Sequence, residues 1–134
     1  TKLRKKKYIT QSFFKVATGG CTGVICTCHP DYCLSLIATR LTKKLGDSVV
    51  PVSAKSGYSV RHDPGKCRQC GTCASICHFG SITLVDGKRS YGSAECRGCE
   101  LCVENCPTGA LSLYVDREKP LPLDIDRIRE KAMA

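Results

Sequence analysis

The chain has 134 residues, 21 Lys and Arg against 12 Asp and Glu for a formal charge of +9, twelve cysteines and no tryptophan. That length allows one small domain with extensions. With so few aromatic residues an apolar core alone would be thin, so the cysteines are the natural staples, and no apolar run approaches the ~18 residues of a membrane-spanning helix.

Residues 1–7 form a basic tail carrying Lys2, Arg4, Lys5, Lys6 and Lys7. It reads as a solvated terminus or as an electrostatic handle for an acidic partner. No uninterrupted apolar stretch follows it, so it does not read as a secretory signal. Residues 8–16, YITQSFFKV, suit a strand, which Gly19 and Gly20 break.

Cys21, Cys26, Cys28 and Cys33 follow, with His29 and Pro30 among them. This segment reads as a loop able to gather four sulfurs around one centre. The best helical pattern in the chain comes next, with Asp31 at the N-cap position. Leu34, Ile37, Ala38, Leu41 and Leu45 recur at helical spacing, Arg40, Lys43 and Lys44 suit the C-terminal end of the dipole, and Gly46 stops the helix. Cys33 then falls in the first turn, where the dipole favours thiolate. A strand near Val49–Val52 leads out, with Pro51 at an edge or an end.

Residues 58–115 hold one pattern twice. Cys67, Cys70, Cys73 and Cys77, then Cys96, Cys99, Cys102 and Cys106, both read C-x2-C-x2-C-x3-C. A shift of 29 positions superposes the two runs, and with them Arg68 on Arg97, Gly80 on Gly109, Ile82 on Leu111 and Leu84 on Leu113. The repeat implies two half-domains related by a pseudo-two-fold axis, each a metal loop, a short helix and a strand. The predicted strands are 58–61, 81–85, 89–91 and 110–114, with Asp86-Gly87 as the turn between the second and third. In the tail after Val115, Pro120 and Pro122 oppose regular pairing, and Asp124 could cap a helix over 125–132 with Ile125 and Ile128 on one face.

The doubled spacing is that of iron–sulfur ligation, in which the fourth cysteine of each run crosses to the other cluster. Three cysteines two residues apart wrap a loop around three corners of a cubane, and the amides between them point at its sulfurs. The fourth lies one turn further along a short helix and faces away. The crossed sets are Cys67, Cys70, Cys73 and Cys106 at site I, and Cys77, Cys96, Cys99 and Cys102 at site II. Crossing stitches the halves together, so metal binding and folding become one event. A secreted disulfide scaffold is the competing reading of a short cysteine-dense chain, and the doubled metal spacing argues against it. Structural zinc favours well-separated C-x2-C pairs.

The second run, C96-R-G-C99-E-L-C102-V-E-N-C106-P107-T-G109-A, resembles the bacterial-type two-cluster ferredoxins, and the resemblance covers about residues 58–115. It implies an α+β, ferredoxin-like βαββαβ dicluster domain holding two [4Fe–4S] clusters and transferring single electrons at low potential. One position departs from the family. Its proline after the fourth cysteine is present as Pro107 in the second run, but His78 stands there in the first. His78 reads as a tolerated loop residue, or as a group that couples reduction at site II to a proton.

At Cys21, Cys26, Cys28 and Cys33 the expectation is a third [4Fe–4S] cluster, with zinc or redox-active thiols as alternatives and His29 as an alternate ligand. Cysteine-rich extensions of this kind precede the dicluster domain in some larger anaerobic redox proteins. Each ligated cluster carries a net charge of −2, so two lower +9 to about +5 and three to about +3, which weakens any argument for nucleic acid. The basic surroundings stabilise the reduced core and raise its potential.

The resulting organisation is a basic tail, metal segment and helix over 1–57, a dicluster domain over 58–115, and a charged tail over 116–134. The function expected is electron transfer as an iron–sulfur subunit of a larger redox enzyme complex, with redox proteins as partners and no catalytic residues of its own. A free ferredoxin shuttle, or an enzyme with a substrate-binding N-terminal cluster, is the alternative. Metal-bound thiolates imply a reducing, cytoplasmic setting, peripheral to a membrane at most.

Overall fold

The computed structural model describes residues 2–14, 22–45, 55–119 and Glu130. The expected strand near Val49–Val52, the C-terminal helix with its Asp124 cap, and Cys21 lie outside the described residues.

The N-terminal part opens with α1 (Lys2–Lys5), followed by β1 (Ile9–Phe14) and β2 (Thr22–Cys28), paired antiparallel with Ile9 opposite Cys28 and Gln11 opposite Cys26. The second strand is a correction, because the cysteine segment reads as a loop in sequence. β-Branched Thr22, Val24, Ile25 and Thr27 favour extended backbone, and β1 supplies the hydrogen-bonding edge. Period-two geometry then puts Cys26 and Cys28 on one face of the strand.

α2 spans Leu34–Leu45, so Asp31 is not its N-cap. Cys33 immediately precedes the helix, and its carbonyl accepts the amide of Ile37 at 2.9 Å. Asp31 sits two residues further out, in a turn closed by the Cys33 amide donating to the His29 carbonyl at 3.0 Å, and its carboxylate lies 3.7 Å from Arg40. The face that packs also differs from the stripe picked out by spacing. Leu36 is buried at 2 % exposure, whereas Leu34 is 82 % and Leu41 55 % exposed. The helix carries apolar residues on two sides, and the side that meets the rest of the protein decides which is buried.

Residues 58–115 run β3 (Tyr58–His62), α3 (Thr72–Ser75), β4 (Ile82–Val85), β5 (Lys88–Tyr91), a 3-10 turn at Ser93–Glu95, α4 (Leu101–Glu104) and β6 (Leu111–Val115). The strands form two antiparallel ribbons, β3 with β6 and β4 with β5. Their registers repeat with the sequence. His62 faces Leu111 on one ribbon, and Tyr91 faces Ile82, the positions related to them by the 29-residue shift, on the other. Val60 opposite Leu113 maps in the same way onto Arg89 opposite Leu84. Left-handed backbone recurs too. Gln69 (φ 55°) matches Gly98 (φ 65°), and Gly71 (φ 74°) matches Glu100 (φ 67°), the residue that caps the next helix in each half.

Two apolar clusters hold these parts. Val60, Ile82, Leu111, Cys96 and Cys102 centre the first, with Cys73, Cys77 and Cys106 packed against it, so thiols fill much of the core between the ribbons. Ile9, Leu36, Ile76, Phe79 and Leu101 form the second, with Cys28, Cys33 and Cys99 packed against it. This second cluster joins the β1–β2 ribbon and α2 to the two short helices. Each such side chain contributes about 2 kcal/mol by leaving water. Among the described residues no helix is long and apolar enough to cross a membrane.

Candidate metal centre

Cys67 and Cys70 lie on the loop between β3 and α3, Cys73 on α3, and Cys77 just past it; Cys96, Cys99, Cys102 and Cys106 repeat this arrangement around α4. None of the eight is in a disulfide. The four-residue helices end where the chain must turn, and Cys77 and Cys106 follow those ends. Each is thereby carried away from the loop of its own run.

Two cavities result. One, of about 450 Å³ including its mouth, is lined by Cys67, Cys70, Cys73 and Cys106 together with His62, Arg68, Leu84 and Arg89. The other, of about 340 Å³, is lined by Cys77, Cys96, Cys99 and Cys102 with Val60, Phe79, Arg97 and Leu101. The first reaches the surface, since Cys70 is exposed. The second is deeper, with Cys96 at 7 % and Cys102 at 8 % exposure.

The thiols differ accordingly. The Thr72 hydroxyl, 3.3 Å from the Cys70 sulfur, leads the effects that bring Cys70 down to about 7. Burial, then the neighbouring thiols of Cys77 and Cys96, pushes Cys99 up to about 11. Burial, then Cys99, Cys77, Cys96 and Cys73, pushes Cys102 up to about 12. At Cys106 burial works upward, but the hydroxyl of Thr108 and the amides of Thr108, Ala110 and Leu111 together bring it below its ordinary value. Thiols crowded so that they resist ionising one by one suit a cationic core, which deprotonates its ligands outright.

Other polar groups line the same cavities. Nε and Nη2 of Arg89 and Nε2 of His62, at the first cavity, are buried without a hydrogen-bond partner among the described residues, as is Nε of Arg97 at the second. Guanidinium nitrogens only donate, so an acceptor-rich anionic group fits both cavities. Backbone amides already point at sulfur, Gln69 to Cys67 at 3.4 Å and Ala110 to Cys106 at 3.3 Å. Among the described residues no three His, Cys, Asp or Glu side chains converge on a single ion. One zinc ion would draw four sulfurs to ~3.8 Å from one another.

Residues 59–107 match the family model of the 4Fe-4S dicluster domain. No curated protein matches the chain. The match supports 4Fe-4S binding by this stretch and implies iron–sulfur electron transfer as its chemistry. It spans all eight cysteines of the doubled pattern and ends at Pro107.

The remaining candidates fall elsewhere. His78 lines neither cavity. Burial, reinforced by the charge of Arg40, lowers its pKa, and Asp31, His29 and Lys7 also act on it, so it belongs to the junction with the N-terminal part. His29 lies between Tyr8, which meets it edge-on, and Tyr32, which is tilted against it, both rings 5.1 Å away, and its Nδ1 accepts the Asp31 amide at 3.3 Å. Cys28 and Cys33 share a core with Cys99, which puts the described part of the third cysteine group beside the second cavity.

Two residues that bear on the site were missed in sequence. Arg4 is not a free element of the basic tail. Its Nη1 donates to the Cys99 carbonyl at 2.6 Å, and its guanidinium lies 3.5 Å from Glu100 and 3.7 Å from Glu104. Lys119 donates to the Cys96 carbonyl at 3.0 Å. Both are single charges far from Cys96 and Cys99 along the chain, and no spacing rule links them.

Proposed function

We propose that the chain is an electron-transfer component with one [4Fe–4S] cluster at Cys67, Cys70, Cys73 and Cys106 and a second at Cys77, Cys96, Cys99 and Cys102. The observation that carries this reading is that each cavity is lined by three cysteines of one run and the fourth of the other. When bound, such clusters accept and release single electrons without bond rearrangement. The protein's part is to hold and surround them. Val60, Phe79 and Leu101 exclude water from the second site, whereas the exposed Cys70 rim leaves the first within reach of a partner.

A third cluster at Cys21, Cys26, Cys28 and Cys33 completes the reading, with zinc as the alternative there. Its support is the shared face of Cys26 and Cys28 on β2 and the packing of Cys28 and Cys33 beside Cys99. We further assign the protein to a larger redox complex as its iron–sulfur subunit, in the order of segments 1–57, 58–115 and 116–134. Tyr32, Leu34 and Leu41 expose 82, 82 and 55 % of their surface around one helix. Exposed apolar side chains at the start of this helix and on one face along it support a partner on that side.

The test is anaerobic reconstitution followed by iron analysis and paramagnetic resonance on reduction. Iron near eight per chain supports two clusters and near twelve supports three; eight iron with one zinc assigns the third group to zinc. Cys106→Ser should disturb only the first cluster and Cys77→Ser only the second. A folded, iron-free protein after reconstitution would refute the reading.

A further inference from the structure

Lys119 lies four residues beyond the last strand of the repeat, yet it is buried at 9 % exposure. Its ammonium donates to Ser59 Oγ at 2.6 Å and to the Cys96 carbonyl at 3.0 Å. Ser59, fully buried, donates in turn to Asp116 Oδ2 at 2.5 Å. The Asp116 carboxylate stands 3.8 Å from the ammonium, further away than either of those oxygens. A local turn sets this arrangement. The Asp116 amide donates to the Gly57 carbonyl at 2.9 Å, the Glu118 amide to Asp116 Oδ1 at 3.2 Å, and the Lys119 amide to the Asp116 carbonyl at 3.0 Å.

A buried ammonium is costly unless something compensates it. Asp116 compensates in part, although its carboxylate also feels the charge of Lys55, and the two oxygens nearest the ammonium, those of Ser59 and of the Cys96 carbonyl, are neutral dipoles. A ligated cubane there is net negative and becomes more so by one charge on reduction. A cation held against a ligand's own carbonyl, away from water, favours the more negative state, because charges interact more strongly where the dielectric is low.

The first site has no counterpart of the Lys119, Ser59 and Asp116 set; the cations beside it are the guanidiniums of Arg68 and Arg89 on the cavity wall. The 29-residue shift carries Cys96 to Cys67, but it carries Asp116 to Gly87 and Lys119 to Ser90. The chain there turns back at Asp86-Gly87 into β5 instead of running on as a tail. Ser59 corresponds to Lys88, which is exposed.

We propose that Lys119 is a positioning residue of the second site that raises the reduction potential of the cluster held by Cys77, Cys96, Cys99 and Cys102 and leaves the other unchanged. The step it biases is the gain of one electron from a one-electron donor such as dithionite, with no bond made or broken. The inference rests on the cluster reading above.

The experiment is a redox titration of the reconstituted full chain, followed by paramagnetic resonance, in the wild type and in Lys119→Gln and Asp116→Asn. Lys119→Gln should lower the midpoint that Cys77→Ser abolishes by at least a tenfold change in the reduction equilibrium, about 59 mV for one electron. Asp116→Asn removes the opposing charge and should raise the same midpoint. The other midpoint should stay in place in both variants. A purely structural role would move both variants the same way. Shifts in the same direction, shifts of both clusters together, or no shift would overturn the proposal. If Lys119→Gln fails to hold iron, Asp116→Asn decides alone, since a rise supports the proposal and an unchanged midpoint overturns it. Wild-type protein that takes up no iron defeats the cluster reading itself, whereas iron-loaded protein with insensitive midpoints defeats only the role of Lys119.

Discussion

The Tyr91 hydroxyl accepts the amide proton of Val60 at 3.1 Å. Tyr91 ends β5 and Val60 lies in β3, strands that the 29-residue repeat makes equivalent, so this bond ties one ribbon to the other directly over the buried Cys96. Burial raises the phenol's pKa, and the Cys96 and Ser59 side chains also act on it.

Tyr91→Phe keeps the ring and removes the acceptor. The Val60 amide, in a residue only 4 % exposed, is left unsatisfied, at a cost of about 1–3 kcal/mol. The apparent melting temperature at a fixed scan rate should fall by roughly 5 °C per kcal/mol. An unchanged melting temperature would show that the bond contributes nothing.

Gly98 has no room for a side chain. Its φ is 65°, and a Cβ there would sit 2.7 Å from the Tyr58 carbonyl and run into the Ser56 hydroxyl. Gly98→Ala should cost at least the ~1–2 kcal/mol of left-handed backbone and distort the loop between Cys96 and Cys99. Gly92, at φ −105° with open space around it, is the control; Gly92→Ala should stay within about 0.5 kcal/mol. Thermal denaturation of the two variants side by side tests the contrast.

Iron should decide how the thiols react. Because metal binding and folding are one event, the eight cysteines of the metal-free chain should alkylate at similar rates, through their thiolate forms, and iron loading should protect all eight. Peptide mass spectrometry after timed iodoacetamide treatment reads both states, and a cysteine among the eight that stays reactive after loading would be one that holds no iron.

Arg4 joins α1 to the loop of Cys99. Its ion pairs with Glu100 and Glu104 are partly exposed and contribute little, so Glu104→Gln should change stability by less than about 0.5 kcal/mol. The bond to the Cys99 carbonyl is charge-assisted and partly buried, which makes it the stronger contact. Arg4→Ala should therefore free α1, and trypsin should cut after Lys5, Lys6 and Lys7 several-fold faster than in the wild type. Equal cleavage rates would mean that the helix is not held by this residue.

Local order along the chain is what the sequence determines by itself. Cysteine spacing, turn residues and alternation act over a few positions, so the strands at 58–61, 81–85, 89–91 and 110–114 and the body of the helix after Cys33 could all be read within a residue or two of where they stand. The 29-residue repeat reached further, because a duplicated pattern reports a duplicated geometry, and it reappears in the paired registers of β3–β6 and β4–β5.

Tertiary structure decided whatever depends on a distant neighbour. β2 exists because β1 offers it an edge, and Leu36 rather than Leu34 is buried because Phe79 and Leu101 lie on that side. Arg4 and Lys119 turned from surface charge into partners of Cys99 and Cys96. Charge carries no periodicity, so a lone cation in a tail shows its role only when folding sets it, out of reach of water, against the group it serves.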